Sequence, residues 1–599
     1  MTQNRVVNDF SITVGTANGS GSSTANNTLL RALFKMGIPV SGKNLFPSNI
    51  QGLPTWYTIR VSGDGFTARR EEQEIVVAMN PGSFMQDLES VMPGGAFFYP
   101  DDIKLTINRD DISVYPMPVK QLVRADTEIP SNLRDLVANM VYVGVLAQMI
   151  GIDQEKIEMA LKFHFKNKER PVSMNMRMVA AGAEWAAANL TKSDPFILEP
   201  LDKTGGLIMT DGNTAAAIGA IYGGVQFAAW YPITPASSLA EALNEYLPQL
   251  RKTEDGKNTF AVIQAEDELA AIGMCVGAGW SGLRAITSTS GPGMSLMTEY
   301  AGLAYFAEVP IVIWDIQRMG PSTGLPTRTS QGDLSFVANM GHGDIESLIL
   351  LPGSINECFE FGWQAFDIAE RVQAPVYVLS DLDFGMNQWM TEPFEYPDAP
   401  MDRGKVLWEE DLDKIGANWG RYKDVDGDGI PYRTFPGNKH PLSAYFSRGT
   451  GHTPEARYSE EPDVWIANMA RLKKKYQTAK GYLPKAVIDQ VDDANFGMIA
   501  YGSTDPAIGE ARLKLERDHN LKSNYLRLRA IPFTDEVRQF IEDHERVYVI
   551  DQTRDGQLKR LLTAEYPELA TRLVAIAYND GLPPTARWIR TAILEQEEK

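Results

Sequence analysis

Several stretches of the 599-residue sequence combine residue types and spacings that could do chemistry. In WYPITPASSLAEAL, Trp230 to Leu243, Pro232 and Pro235 bracket Thr234. Proline fixes φ and donates no backbone hydrogen bond, so the pair stiffens a loop between the apolar GGVQFAAW and the helically spaced LAEALNEYL. A rigid strand-to-helix loop with a hydroxyl at its tip suits a ligand contact, and equally a plain turn with a helix cap. In QAEDELAAIGMCVGAGWSG, an acid stands where a buried apolar strand ends and a small-residue helix begins. A carboxylate there is costly unless it is paired or used, and Glu266 and Glu268 compete for the role. DVDGDG places Asp424, Asp426 and Asp428 at positions 1, 3 and 5 of an oxygen-ligand loop for a hard cation, with Gly429 at position 6. Position 12 is Phe435, which excludes an EF-hand and leaves a partial calcium loop or a solvated acidic turn. In GTANGSGSS, Gly15, Gly19 and Gly21 follow GxxxGxG rather than the dinucleotide spacing. That turn could receive phosphate at a helix start or simply join strand to helix.

The elements that must position these residues form three α/β patterns. DFSITVGTANGSGSSTANNTLLRALFK runs from an apolar strand through the glycine-rich turn into a helix, and opens a domain over 1–192. A second domain, 200–392, carries the strand-like AVIQA, LRAITSTS, VPIVIWDI and APVYVLSD between helical or glycine-rich segments, which predicts a parallel sheet. Residues 393–484, rich in Pro, Gly, Asp and Trp, read as an ordered connection with little periodicity. FGMIAYGS, NYLRLRAI and RVYVIDQ resume the alternation in 485–599. No solenoid repeat and no low-complexity tract is present.

Composition narrows the class. The 44% hydrophobic content supports several cores, and a formal charge of −20 argues against a nucleic-acid or anionic-membrane surface. No run of about 18 apolar residues appears, so a soluble, cytoplasmic protein is expected. With only Cys275 and Cys358, neither a disulfide framework nor a four-cysteine iron–sulfur site can be built. The GDG triplets at Gly63 and Gly427 are followed by Asn80 and Asn438, too early for the roughly 25 to 30 residues that separate GDG from asparagine in a magnesium–diphosphate motif.

ELAAIGMCVGAG, from Glu268 to Gly279, resembles the pyrimidine-binding domain of thiamine-dependent enzymes, whose ELNAAYAADGYA places a glycine nine residues after the glutamate; here Gly277 keeps that interval and selects Glu268. DGNTAAAIGAIYGGVQFAAWYPITPASSL, TSTSGPGMSLMTEYAGLA and VPIVIWDIQRMGPSTGLPTRTSQGDL are similar to the 2-oxoacid:ferredoxin oxidoreductase α subunit. ARLKLERDHNLK and RVYVIDQTRDGQLKRLL resemble a transketolase C-terminal-type domain, and the N-terminal block resembles the family's fused γ domain. The likeness covers essentially the whole chain and implies a multidomain α/β fold with a pyrimidine-type thiamine-diphosphate domain. It departs at Asp551 to Thr553, where many relatives carry a glutamate and an asparagine, so those positions receive no role.

The resemblance implies roles residue by residue. Glu268 would hydrogen-bond N1′ of the thiamine aminopyrimidine and promote removal of the C2 proton. Thr234 would reach the 2-oxoacid, with Pro235 beside the cofactor, and Arg318 would bind the substrate carboxylate through the two parallel bonds of its planar fork. Arg328 would meet the distal carboxylate of a dicarboxylic substrate, or else serve the surface. The implied reaction decarboxylates a 2-oxoacid on thiamine diphosphate, oxidises the product in one-electron steps and transfers the acyl group to coenzyme A. A β subunit would supply the GDG…N motif, Mg2+ and a [4Fe-4S] cluster on its cysteines, in an (αβ)2 assembly passing electrons to ferredoxin. The γ–α fusion is most like the 2-oxoglutarate branch, forming succinyl coenzyme A or running in the CO2-fixing direction. Pyruvate, a broad range of 2-oxoacids, or a stand-alone thiamine-dependent decarboxylase are the alternatives.

Overall fold

The computed structural model describes residues 5–47, 52–104 and 106–598. Its scaffold is three sheets with helices between and around them. The first has six strands in the order Val40–Leu45, Pro54–Ser62, Asp9–Ala17, Gln73–Ala78, Val91–Pro100 and Ser113–Met117. From Asp9–Ala17 the chain passes the glycine turn, where Gly19 and Gly21 take positive φ, into the helix Ser22–Lys35, as the strand-turn-helix pattern predicts. Helix Arg134–Ile150 is apolar enough to draw notice (mean hydropathy 1.3 in a segment from Ser131), but it is largely buried inside this unit as a core helix.

The central sheet runs Ala261–Gln264, Phe227–Trp230, Ala285–Thr289, Ile311–Gln317, Pro375–Asp381 and Leu348–Leu350 in parallel, and Ala530–Ile531 is added antiparallel at the far edge. A parallel sheet covered on both faces needs near-continuous apolar strands, which is why VPIVIWDI is readable. Val312, Trp314 and Ile316 enter one core, and Ile311 and Ile313 the core on the opposite face. The strand Ala261–Gln264 departs from expectation. It occupies the sheet edge and is mostly exposed, because burial depends on neighbours that a strand's own sequence does not name.

The third sheet has the order Val487–Asp489, Ser523–Arg527, Phe496–Ala500, Val547–Asp551 and Leu573–Ala577. The intervening connection is more ordered than its weak periodicity predicts. It contains an 18-residue helix, Pro462–Ala479, whose first-turn proline is a start signal that the surrounding irregularity masks. Arg471 and Lys475 of that helix both pair with the buried Glu308, which pins the connection to the central unit.

Candidate active site

Thr234 and Arg318 are brought together at the ends of central strands. Asn213, fully buried in the first turn of helix Gly212–Tyr222, donates to the Pro235 carbonyl and the Ser238 hydroxyl, both at 2.8 Å, and holds the proline loop from below. Arg318 leaves the end of strand Ile311–Gln317 and donates from Nη1 to the Thr234 carbonyl at 2.7 Å. Its Nε is buried without a partner among the described residues. Burial lowers the guanidinium's pKa while nearby Asp333 raises it. Arg318 thus presents a partly satisfied donor fork to a cavity of about 460 Å3, lined also by Gly291, Pro292, Asp333, Thr553 and Arg554.

Glu268 is the first residue of helix Glu268–Trp280, capped by Asp267, whose side chain accepts from the Ala270 N–H. Of the two competing acids, Glu268 is buried and Glu266 exposed. The Glu268 carboxyl has no hydrogen-bond partner among the described residues and lies against the start of helix Gly291–Ala307. A Cβ on Gly293 would stand 2.8 Å from Glu268 Cγ and 2.0 Å from Thr289 Oγ1. Two positions earlier, a Cβ on Gly291 would stand 2.6 Å from Asp333 Oδ1. The SGPG turn therefore admits a carboxyl on each side only because both positions lack a side chain. A buried acid left unpartnered at a helix start fits a group that offers a basic or donor nitrogen, as the thiamine aminopyrimidine does.

Other sequence-predicted residues lie elsewhere. Arg328 does not line the Arg318 cavity. Its Nη1 donates to the carbonyls of Phe46 and Thr327, its stem packs on Gly581, and burial lowers its pKa. The calcium reading of Asp424, Asp426 and Asp428 is corrected. Lys405 Nζ lies 2.6 Å from Asp426 and 2.9 Å from Asp428, so an ammonium occupies the place a metal would take, while Asp424 faces Lys474 at 3.8 Å. Among the described residues no group of three His, Cys, Asp or Glu side chains is placed to hold a metal ion. Cys275 and Cys358 are both buried and free.

Residue-by-residue reading passed over Asp315 and Asp333 and gave Thr553 no role. The signal for Asp315 was present, since an acid inside VPIVIWDI is as costly as one at the end of AVIQA. Thr553 had no local signal. It reaches the cavity because Gln331 accepts from the Gln552 N–H at 3.0 Å and donates to the Tyr501 carbonyl at 2.9 Å, docking the third sheet on the loop after Arg328.

Residues 218–404 match the thiamine-diphosphate-binding domain of pyruvate flavodoxin/ferredoxin oxidoreductases, and residues 11–185 match the pyruvate ferredoxin/flavodoxin oxidoreductase domain. The chain is 30% identical over 515 residues to subunit alpha of 2-oxoacid:ferredoxin oxidoreductase 1 from Sulfurisphaera tokodaii, covering 79% of each chain. It is 35% identical over 356 residues to 2-oxoglutarate synthase subunit KorA of Methanocaldococcus jannaschii, over 58% of this chain and 88% of the relative. Its fold superposes with a TM-score of 0.87 and 26% identity on 2-oxoglutarate:ferredoxin oxidoreductase from Magnetococcus marinus, covering 98% of this chain and 99% of that one. With a thiamine-diphosphate-binding α/β domain carrying the Thr234, Glu268 and Arg318 segments, and relatives alike along most of its length, the chain belongs to the 2-oxoacid:ferredoxin oxidoreductases as an alpha subunit.

Proposed function

We infer that this alpha subunit takes 2-oxoglutarate, with Arg318 receiving the carboxylate next to the reacting carbonyl and Thr234 flanking it. The observation that carries the reading is Arg318 lining the cavity with its guanidinium tied by Nη1 to the Thr234 carbonyl and its Nε unpartnered among the described residues. Thiamine diphosphate supplies the electron sink for decarboxylation when bound. This chain's part is to hold N1′ with Glu268, keep Pro235 and Thr234 rigid beside it, and orient the acid. The Magnetococcus marinus protein holds 2-oxoglutarate, coenzyme A and succinyl-CoA, which supports the same substrates here. A broader range of 2-oxoacids is the second reading, favoured by the position of Arg328 outside the cavity, which leaves a distal carboxylate without that reader.

Coenzyme A has a supporting path in the N-terminal unit, the proposed γ-type domain. The N-terminus of helix Ser22–Lys35 opens into a cavity of about 550 Å3 lined by the glycine turn, Asn26, Asn44 and Trp56, suited to phosphate. It shares Asn44 and Asn387 with a smaller cavity that reaches Thr329, and the next residue, Ser330, lines the Arg318 cavity. A β subunit bringing Mg2+, the diphosphate motif and a [4Fe-4S] cluster is supported by exposed Ile263, Leu269, Leu296 and Tyr300 around the Glu268 helix, an apolar surface suited to a partner. Ferredoxin, a cytoplasmic location and an (αβ)2 assembly belong to the same reading.

Co-expression with the β subunit tests it. The copurified complex should bind thiamine diphosphate and show coenzyme A-dependent dye reduction with 2-oxoglutarate at least tenfold more efficiently than with pyruvate. Equal efficiency on both would replace 2-oxoglutarate by the broad range. Micromolar thiamine diphosphate binding by the isolated chain would rule out the shared site.

A further inference from the structure

Beneath Arg318 lie two carboxyl groups that the reaction as described does not use. Asp315 sits in strand Ile311–Gln317, is wholly inaccessible to solvent, and neither of its carboxyl oxygens has a hydrogen-bond partner among the described residues. Gln317 follows two positions on and so points to the same face of the strand. Its Oε1 accepts from the Asp333 N–H at 3.1 Å, and Asp333 Oδ1 would stand 2.6 Å from a Cβ on Gly291, two residues beyond Thr289, which pairs with Asp315, so Asp333 lies over the strand ends next to Asp315. Asp333 lines the cavity beside Arg318, and its Oδ2 is also unpartnered among the described residues. Arg318 is not within ion-pair distance of it, its hydrogen bond going to Thr234. An unpaired, fully buried Asp315 carboxylate next to the half-buried Asp333 would be costly, a cost removed when one of the two is protonated.

We propose that Asp315 and Asp333 form a proton-holding pair beneath the substrate site, and that a proton passes from solvent to Asp333 as a 2-oxoacid carboxylate seats on Arg318. The idea rests on the reading of Arg318 as the carboxylate receptor. The bond changes are one O–H formed on Asp333 and one bond to hydrogen broken in a hydronium ion or buffer acid that reaches it through the cavity, the water or conjugate base returning to solvent. Burial pushes Asp333 up to about 7, with Arg318 pulling it down, and burial together with Asp333 raises Asp315 well beyond the carboxylate range. A substrate anion cancels the field of Arg318 and adds negative charge nearby, so the protonated form gains further. Ionised Asp333 would repel that anion. The other titratable or charged groups around the pair are the buried Tyr501, whose hydroxyl donates to the Gln331 carbonyl, Asp381 opposite Gln317 on the neighbouring strand, which accepts from the Ser503 hydroxyl, Asp551, which accepts from the Thr553 hydroxyl and the Leu558 N–H, and Arg554 with Asp555 on the cavity wall, paired at 2.8 Å. Burial pushes Asp381 and Asp551 up to about 6, so the Asp333→Asn variant is what assigns the proton to Asp333. The helix start beside Asp333 contributes the uncharged Gly291, Pro292 and Ser295.

Calorimetric titration of the thiamine-loaded complex with N-oxalylglycine and with oxamate, unreactive mimics of dicarboxylic and shorter 2-oxoacids, reads the proton directly. At pH 7, in buffers of differing ionisation enthalpy, uptake of about 0.4 proton per site is expected, with Kd weakening roughly 5- to 10-fold from pH 6 to 8.5. Asp333→Asn should take up no proton and bind at pH 8.5 as tightly as at pH 6, whereas a merely structural role would weaken binding at every pH. Asp315→Asn replaces a carboxyl that stays protonated through this range by a neutral amide and should leave the inflection of wild-type binding in place. Wild-type binding with no buffer-dependent heat, or uptake unchanged in Asp333→Asn, overturns the pair. Failure of both mimics to bind at any pH would overturn the Arg318 reading and the pair with it, and is distinguishable because no heat of binding is seen at all.

Discussion

Arg318 Nη1 and the carbonyl oxygen of Thr234 are 2.7 Å apart, a hydrogen bond joining segments 84 residues apart at the mouth of one cavity. Because the contact uses the Thr234 backbone, the side chains can be varied separately. Arg318→Met should cut kcat/KM for every 2-oxoacid by about 2 to 4 kcal/mol of transition-state stabilisation, the loss of a charge-assisted contact. Thr234→Val keeps the carbonyl and should cost only about 1 kcal/mol if its hydroxyl reaches the substrate. Steady-state kinetics of the complex separates them, and an Arg318→Met enzyme with ordinary kcat/KM removes Arg318 from the site.

Glu268→Gln should leave the fold intact and slow deuterium exchange at C2 of bound thiamine diphosphate by about 10² or more, since it abolishes the carboxyl exchange with N1′. Glu266→Gln, at an exposed position, should exchange normally. NMR-monitored exchange on the complex decides, and the reverse pattern would assign the role to Glu266.

Gly293→Ala forces a methyl to within 2.0 Å of Thr289 Oγ1, so the helix start must shift. Destabilisation of about 1 to 3 kcal/mol is expected, along with displacement of Glu268. Gly277→Ala, in the exposed interior of helix Glu268–Trp280 with nothing within 4 Å, should be neutral or stabilising by up to about 1 kcal/mol. Thermal unfolding of the two variants side by side checks the contrast, and equal midpoints would mean the turn yields freely.

Acid stability should depend on Glu308. Burial alone raises its carboxyl, but Arg471, Lys475 and Arg421 outweigh burial and hold it at about 2, below its ordinary 4.5. A carboxyl depressed in the folded state contributes stability that is complete above pH 4.5 and is lost as pH falls towards 2, an amount of about 3 kcal/mol. Lys475, pushed down to about 8 by burial, stays protonated throughout that window and adds no slope there. Glu308→Gln should cost about 3 to 5 kcal/mol at pH 7 by leaving two buried cations unpaired, and should flatten the acid limb. Urea unfolding between pH 2.5 and 7 reads both effects, and an acid limb identical to wild type would discard the assignment.

How much of this was legible follows from the range of the interactions involved. Strand and helix alternation, the stiff Thr234 loop, the competing glutamates and the want of cysteines for a cluster are properties of short windows, and each could be read before any fold was known. The helix Pro462–Ala479 was hidden by irregular flanks, and the exposed edge strand Ala261–Gln264 was mistaken for a buried one because apolar content alone does not say what covers a strand. Lys405 in the DVDGDG turn comes from 21 residues upstream of Asp426 and turns a plausible calcium loop into an ion-paired one. Arg328, two residues before Ser330 of the cavity wall, is turned away towards Phe46. The linear sequence by itself determined the chemical inventory and the local elements, since periodicity and turn chemistry act over a few residues. Only tertiary packing decided which distant groups meet, with the Asp333 N–H on Gln317 Oε1, two residues beyond Asp315, and Gln552 against Gln331 across 221 residues. Burial, and with it the protonation of an acid, is a property of everything packed around it.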